Sequence, residues 1–303
     1  MFLLAAEGGH HTPLIVEFIN HYLGEPVHKI QMATTHKMWT AFFANFGTTP
    51  EKVFGGEYTA ENAIPWYTIM FVIACILTVI LIRIFKGKLS EDDPKQGQLT
   101  LEAGFLAIKD LVVRVIGEHG FKYFPVVATF AVLVLISNLM GLFPLFMAPT
   151  ASVNVTFALA ISSFIYYNYV GISENGIVKH LGHLTGPRLP LIMTILITPL
   201  IFSVELISNM IRPFTLGVRL FANMFADEKI FMEITGLYPP YTHLMLPITL
   251  LLTLLAVFVA FVQTLVFTLL SMIYISEVSH PPHEHHDEEP HADGHVDAAV
   301  ATA

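Results

Sequence analysis

The chain of 303 residues is 54% hydrophobic and only 13% charged, with a mean hydropathy of +0.64. Soluble domains carry about 25% charged residues, so the composition excludes one or two soluble domains and predicts an all-α integral membrane protein. The formal net charge of −9 sits largely in soluble ends, with seven acids and no Lys or Arg in the last 28 residues, and no nucleic-acid partner is expected.

Residues 1–64 are mixed and polar, carry five histidines, and are expected to form an extracytoplasmic N-terminal segment. Met1 to Leu4 have no basic stretch before them, so no cleavable signal peptide is expected. Thr12-Pro13 ahead of Leu14, Ile15, Phe18, Ile19 and Tyr22 predicts a short capped helix suited to the membrane interface. Trp66 to Ile82 is the first charge-free run; with Ile64-Pro65 before it and Arg83, Lys86 and Lys88 after it, it fits a span of about 20 residues. Its Cys75 is the only cysteine, which excludes an intrachain disulfide and a cysteine metal site.

Residues 83–122 form the main basic loop, with seven Lys or Arg. Within it Leu101, Phe105, Ile108, Leu111, Val112 and Val115 recur at helical spacing. Glu102, Lys109, Asp110 and Glu118 fall mostly elsewhere, so the pattern predicts an amphipathic helix on the membrane surface or against a partner. Tyr123 to Met147 is the second span and ends in Asn138-Leu139-Met140-Gly141-Leu142-Phe143-Pro144. A short turn, Pro149 to Asn154, leads into a third span, Val155 to Ile172, and residues 173–188 are polar. Leu189 to Ala226 is then 38 residues broken only by Glu205, Arg212 and Arg219, and Ile234 to Ser276 is 43 residues without Asp, Glu, Lys or Arg. A perpendicular crossing needs about 20 residues, so these two runs must tilt strongly, break, or lie partly in the membrane plane. With the polar linker Asp227 to Thr242 between them, they predict a long tilted hairpin over 189–276. About five membrane-embedded helices result, in a membrane domain spanning 65–277.

An N-terminus outside leaves nine Lys or Arg in the inside loops against four outside, which sets the orientation and puts the tail, 278–303, in the cytoplasm. That tail interleaves His280, His283, His285, His286, His291 and His295 with acids. It reads as a disordered solubilising extension in preference to a metal-buffering or pH-sensitive one. No cofactor and no structured metal site are expected.

The most telling residue is Arg219, deep in oily sequence. A guanidinium cannot shed its proton, and mid-bilayer it costs at least about 2.5–3.5 kcal/mol. The residue therefore asks for an anion. Glu205, Arg212 and Arg219 are spaced by seven, and Ser208 and Asn223 join them, so one face of this helix reads as polar through the membrane. Pro213 is a candidate for a local bend. Glu205 and Arg212 either pair with each other or belong to a functional path. Gln263 and Asn138, lone polar groups in apolar runs, are either interhelical glue or part of a site. Glu228, nine residues past Arg219, lies about half a turn round the helix from it.

These residues resemble subunit a of the F-type ATP synthase. The resemblance rests on Leu216-Gly217-Val218-Arg219-Leu220-Phe221-Ala222-Asn223-Met224 with Glu228 beyond. Support comes from the Asn138 to Pro144 stretch, Pro149-Thr150-Ala151 with Val153-Asn154-Val155-Thr156, and Gln263-Thr264, and it covers roughly residues 65–277. It implies a stator proton channel with two half-channels beside a ring of c subunits, whose membrane carboxylates supply the anion for Arg219. It also implies partnership with b subunits of the peripheral stalk and the remaining synthase subunits; a bacterial plasma membrane is expected on separate grounds, since no Arg- and Ser-rich transit segment is seen. By the same match Glu228, Asn223, Gln263 and Asn138 line the outer half-channel, and Glu205 and Ser208, with Arg212 as a further candidate, lie toward the cytoplasmic exit. The family's ionisable position on the last helix is Ala256 here, and the nearest ionisable group is His243. The chain holds no phosphate-binding glycine loop, so it is not expected to be catalytic alone. The competing readings are a self-contained secondary cation/proton transporter built on Glu205, Arg219 and Glu228, and a membrane scaffold without transport.

Overall fold

The computed structural model describes residues 13–45, 47–49, 63–87, 90, 94–143, 146–183, 191–237 and 245–279, with no side-chain description for 177–183, 191–199, 234–237 and 245–246. Every regular element among them is helical, as an all-α membrane protein requires. Four helices are long and apolar enough to cross a membrane: Trp66–Lys86, Glu118–Met140, Val153–Gly176 and Pro247–Ser279.

The N-terminal helix is longer than the sequence suggests. Helix α1 spans Leu14–Gln31 and passes through a π-helical turn, Met32–His36, into α2, Lys37–Ala44. Pro13 starts it without any side-chain cap bond. Asn20 ties it down, donating from Nδ2 to the Ile64 carbonyl at 3.2 Å and accepting from the Ile64 N–H at 3.3 Å. Ile64 directly precedes α3, Trp66–Lys86, whose Val72, Ile76, Val79, Ile80 and Ile84 face outward. Such an apolar outer face is what a lipid-contacting helix presents.

The amphipathic segment forms α4, Gln96–Ile116, closed by Gly117 at φ 95°. Its apolar stripe lies on the chain's own last helix. Val112 and Ile116 are buried with Met272 and Ile275, and the Ser276 hydroxyl donates to the Val115 carbonyl at 2.9 Å. A 3-10 turn, Glu118–Tyr123, leads into α5, Phe124–Met140. Gly141 then admits a close approach, since a Cβ there would stand 2.9 Å from that of Ala148. The turn at Pro149–Ala151 is a buried 3-10 turn.

The third span is α6, Val153–His183. It continues into residues that read as a polar loop, kinked at Gly176, where φ is 74°. Next, α7 runs unbroken over 47 residues, Leu191–Leu237, straight through Pro213 and on through the first part of the polar linker expected from Asp227. Helix α8 covers 35 residues, Met245–Ser279. At 1.5 Å per residue these are about 70 and 50 Å long, against hydrocarbon about 30 Å thick. Breakage is therefore not how α7 handles its excess length, which leaves tilt or extension beyond the bilayer. Pro239-Pro240 and His243, between the two helices, lie outside the described residues, as does the histidine-rich tail.

Helices α5, α6, α7 and α8 form the central bundle. At its middle Val134, Leu159, Ala160, Leu216, Leu220 and Phe267 make one buried cluster. Gly217 lets α7 settle onto α6, as a Cβ there would already lie 3.4 Å from Ala160 and Phe157. This contact fixes the rotation of α7 at the turn that carries Arg219.

Candidate functional site

With Leu216, Gly217 and Leu220 turned into the bundle, the helix period sends Arg219 the other way. Arg219 is exposed, flanked by exposed Thr215, Val218 and Ala222. The outer surface around it is apolar, with Ile207, Ile211 and Phe214 on α7 and Leu254, Phe258 and Phe261 on α8. Among the described residues no carboxylate pairs with the Arg219 guanidinium. One turn on, Asn223 reaches across to α8, its Nδ2 donating to Gln263 Oε1 at 2.7 Å. Gln263 is 2% exposed, and its own Nε2 is enclosed without a hydrogen-bond partner.

Asn138 lies at the C-terminal end of α5, 4% exposed, and its Oδ1 accepts from the Thr150 hydroxyl at 2.8 Å. Its Nδ2 and the neighbouring Ser137 Oγ are enclosed without protein partners. Buried polar atoms of this kind are normally satisfied by protein or by ordered water. Ser137, Asn138 and Gln263 each hold a buried polar atom with hydrogen-bonding capacity left for water. The glue reading of Asn138 and Gln263 thus accounts for one end of each amide and leaves the other end unexplained.

Glu228 lies half-buried on the row Leu216, Leu220, Met224, Glu228, where Met224 packs against Ala148 and Ala151. The adjacent Asp227 is a carboxylate that sequence reasoning assigned to a linker. It sits on the row of Asn223, half-buried, with Oδ2 enclosed and unbonded. Its signal in the sequence was the i, i+4 spacing from Asn223.

The other half of α7 corrects the expected polar stripe. Arg212 does not share an environment with Arg219. It makes a two-pronged pair with Glu277 near the end of α8, at 2.6 and 2.8 Å, and its guanidinium lies over the Tyr274 ring at 5.1 Å. Glu205, which the sequence offers as a pairing partner of Arg212, approaches it only to 3.9 Å. Glu277 was missed because it is 65 residues away in sequence. Nearby the Tyr167 hydroxyl donates to Asn209 Oδ1, while Ser208 is exposed. Ala256 is half-buried on α8; His243, its suggested substitute, lies outside the described residues. Among the described residues no group of His, Cys, Asp and Glu is arranged to hold a metal.

The family model of the ATP synthase A chain matches residues 67–276, from the second residue of α3 to near the end of α8. The chain belongs to this family. Its sequence is 35% identical over 231 residues to "ATP synthase subunit a" of Solibacter usitatus, covering 75% of this chain and 92% of that one. Against "ATP synthase subunit a" of Aquifex aeolicus it is 37% identical over 218 residues, covering 70% and 98%. Against "ATP synthase subunit a 2" of Syntrophotalea carbinolica it is 43% identical over 176 residues, covering 58% and 70%. As a subunit a of the F-type ATP synthase it is a multi-pass membrane protein that assembles with other subunits of that complex. The matched stretch contains Arg219, Asn223, Glu228, Gln263, Asn138, Glu205 and Ser208, and leaves out the N-terminal helices and the tail.

Proposed function

We propose that this chain is the stationary proton channel of the synthase, with two half-channels that meet the c-ring at Arg219. The observation that carries this is a guanidinium without an ion-pair partner among the described residues, on a largely apolar outer face. Left in lipid it costs at least about 2.5–3.5 kcal/mol, so the face wants a partner with a membrane carboxylate, and the ring carries one on each c subunit. Arg219 attracts that carboxylate in its ionised form and, as a fixed positive charge, bars protons from leaking directly between the half-channels. Asn138, Asn223, Gln263 and Glu228 line the outer half-channel. Glu205 and Ser208 line the exit on the cytoplasmic side. The subunit carries out no bond chemistry of its own; nucleotide chemistry belongs to other subunits, and b subunits of the peripheral stalk hold this one still. The termini lie on opposite sides of a bacterial plasma membrane, the N-terminus outside.

ATP-driven proton pumping in inverted vesicles, with passive leak recorded alongside, tests this reading. Arg219→Ala is expected to abolish pumping while assembly and extractable ATPase activity stay normal, and to raise the leak. Pumping at the wild-type rate would overturn it.

A further inference from the structure

The N-terminal rod lies before the family match, which begins at residue 67. Its first turns are held against the protein. Val16 is buried with Ile69, Met70 and Ala74 of the first turns of α3, and Asn20 holds both backbone groups of Ile64. The rod therefore leaves the bundle at the level where α3 enters the membrane. Beyond Gly24 it has no buried residue through Ala44.

Residues seven apart on a helix lie about 20° apart around it, so Leu23 and Ile30 continue the row of Val16. The π turn at Met32–His36 takes up about one extra residue. That returns Met38 and Phe42 to the same row, which they would leave by up to about a quarter turn on an unbroken α-helix. Leu23, Ile30, Met38 and Phe42 are 51–63% exposed, and they stand in a line about 28 Å long. The other side is polar. Glu25 and Lys29 pair there at 3.0 Å, both well exposed, with His21 and Thr40 on the same side. Nearer the bundle a second row, Leu14, Phe18 and Tyr22, is also exposed, and it gives way to the Glu25–Lys29 pair.

Three features indicate what covers the stripe. It continues the row that Val16 lays on α3, and the next surface beyond α3 is the lipid that its own Val72, Ile76 and Val79 face. Between residues 14 and 44, Glu17 and Glu25 balance Lys29 and Lys37, so the contact is driven by apolar burial and not by headgroup charge. At the far end Trp39 stacks on Phe43, with 5.5 Å between ring centroids, and Phe43 meets Phe42 edge-on. Trp is enriched at the membrane–water boundary.

We propose that residues 23–42 form an arm lying flat on the bilayer surface at the Trp66 end of α3. The stripe is set into the acyl boundary and the Glu25–Lys29 face stays in water. The occupant of the apolar face is lipid, and uncharged lipid suffices.

The test uses the whole synthase in discs of phosphatidylcholine, with Cys75→Ser and accessible cysteines of the other subunits removed. A nitroxide is attached at Ile30→Cys, Met38→Cys, Glu25→Cys or Thr40→Cys, one at a time. Its relaxation is read against oxygen, which concentrates in lipid, and against a water-soluble nickel chelate. Labels at positions 30 and 38 are expected to favour oxygen, at a depth of about 5–10 Å, and those at 25 and 40 to favour the chelate. Chelate reaching all four positions alike would overturn the proposal by leaving the arm in water. Labels at 30 and 38 shielded from both reagents would also overturn it, with a protein surface as the occupant. Adding Ile30→Asp and Phe42→Asp is expected to bring the label at position 38 out to the chelate. A label that stays in lipid there would show that the stripe does not hold the arm down, and would overturn the proposal as well.

Discussion

Arg212 and Arg219 stand seven residues apart on one continuous helix, yet they meet opposite environments. Arg212 is gripped by Glu277 and stacked on Tyr274, with its side chain 18% exposed. Arg219 projects from a largely apolar surface with no ion pair among the described residues. Both are always charged, so the difference lies wholly in what the neighbouring helix supplies. Where α8 brings a carboxylate, the arginine becomes a clamp between the middle of α7 and the end of α8. Where α8 brings only Leu, Phe and the amide of Gln263, the arginine is left for a partner outside the chain.

The contrast is sharpest in paired deletions. Arg219→Ala is expected to reduce pumping to background without lowering the heat stability of the purified complex, because Arg219 makes no ion pair or hydrogen bond among the described residues. Arg212→Ala should do the reverse. It strands Glu277, lowers stability by about 1.5–3 kcal/mol, and leaves pumping measurable in whatever complex assembles. Equal effects of the two deletions on stability would erase the distinction. Gly217→Val tests the contact that aims Arg219 outward. Extra methyls against Phe157 and Ala160 should cost about 1–3 kcal/mol through overpacking and slow pumping, whereas Gly217→Ala should be tolerated. In a double-mutant cycle, Asn223→Leu and Gln263→Leu should couple by about 1 kcal/mol in heat stability; strict additivity would mean the bridge is not formed. The smallest effect is expected for Thr150→Val, which takes from Asn138 Oδ1 its donor and should cost about 1 kcal/mol. An unchanged melting profile would show that water already fills that place.

The spans were readable because a charge-free run near 20 residues has few alternatives in a chain this apolar. The stripe Leu101, Phe105, Ile108, Leu111, Val112 and Val115 gave α4 for the same kind of reason, but periodicity cannot say what covers a stripe. Its cover proved to be α8 in the same chain. Helix ends were less readable. Asp227 to Leu237 reads as a linker by polarity, yet it contains no proline, and its one glycine, Gly236, falls at the end, so nothing in it stops a helix. Arg219 stood out because a lone arginine in oily sequence demands an explanation. The partner of Arg212 did not, because spacing rules on one helix cannot reveal a carboxylate on another. Asp227 was passed over for a related reason: taken as the first residue of the expected linker Asp227 to Thr242, it was never placed on a helix row.

The claim that Arg219 faces the ring is tested most directly by proximity within the assembled complex. With Cys75 replaced by Ser, a single cysteine is introduced at Val218 or Ala222, beside Arg219, and another on the membrane helix of the c subunit. Disulfide formation on mild oxidation is predicted from both positions and not from Val79, which lies on the outer face of α3. Ring crosslinks absent from Val218 and Ala222, or equally strong from Val79, would contradict the account.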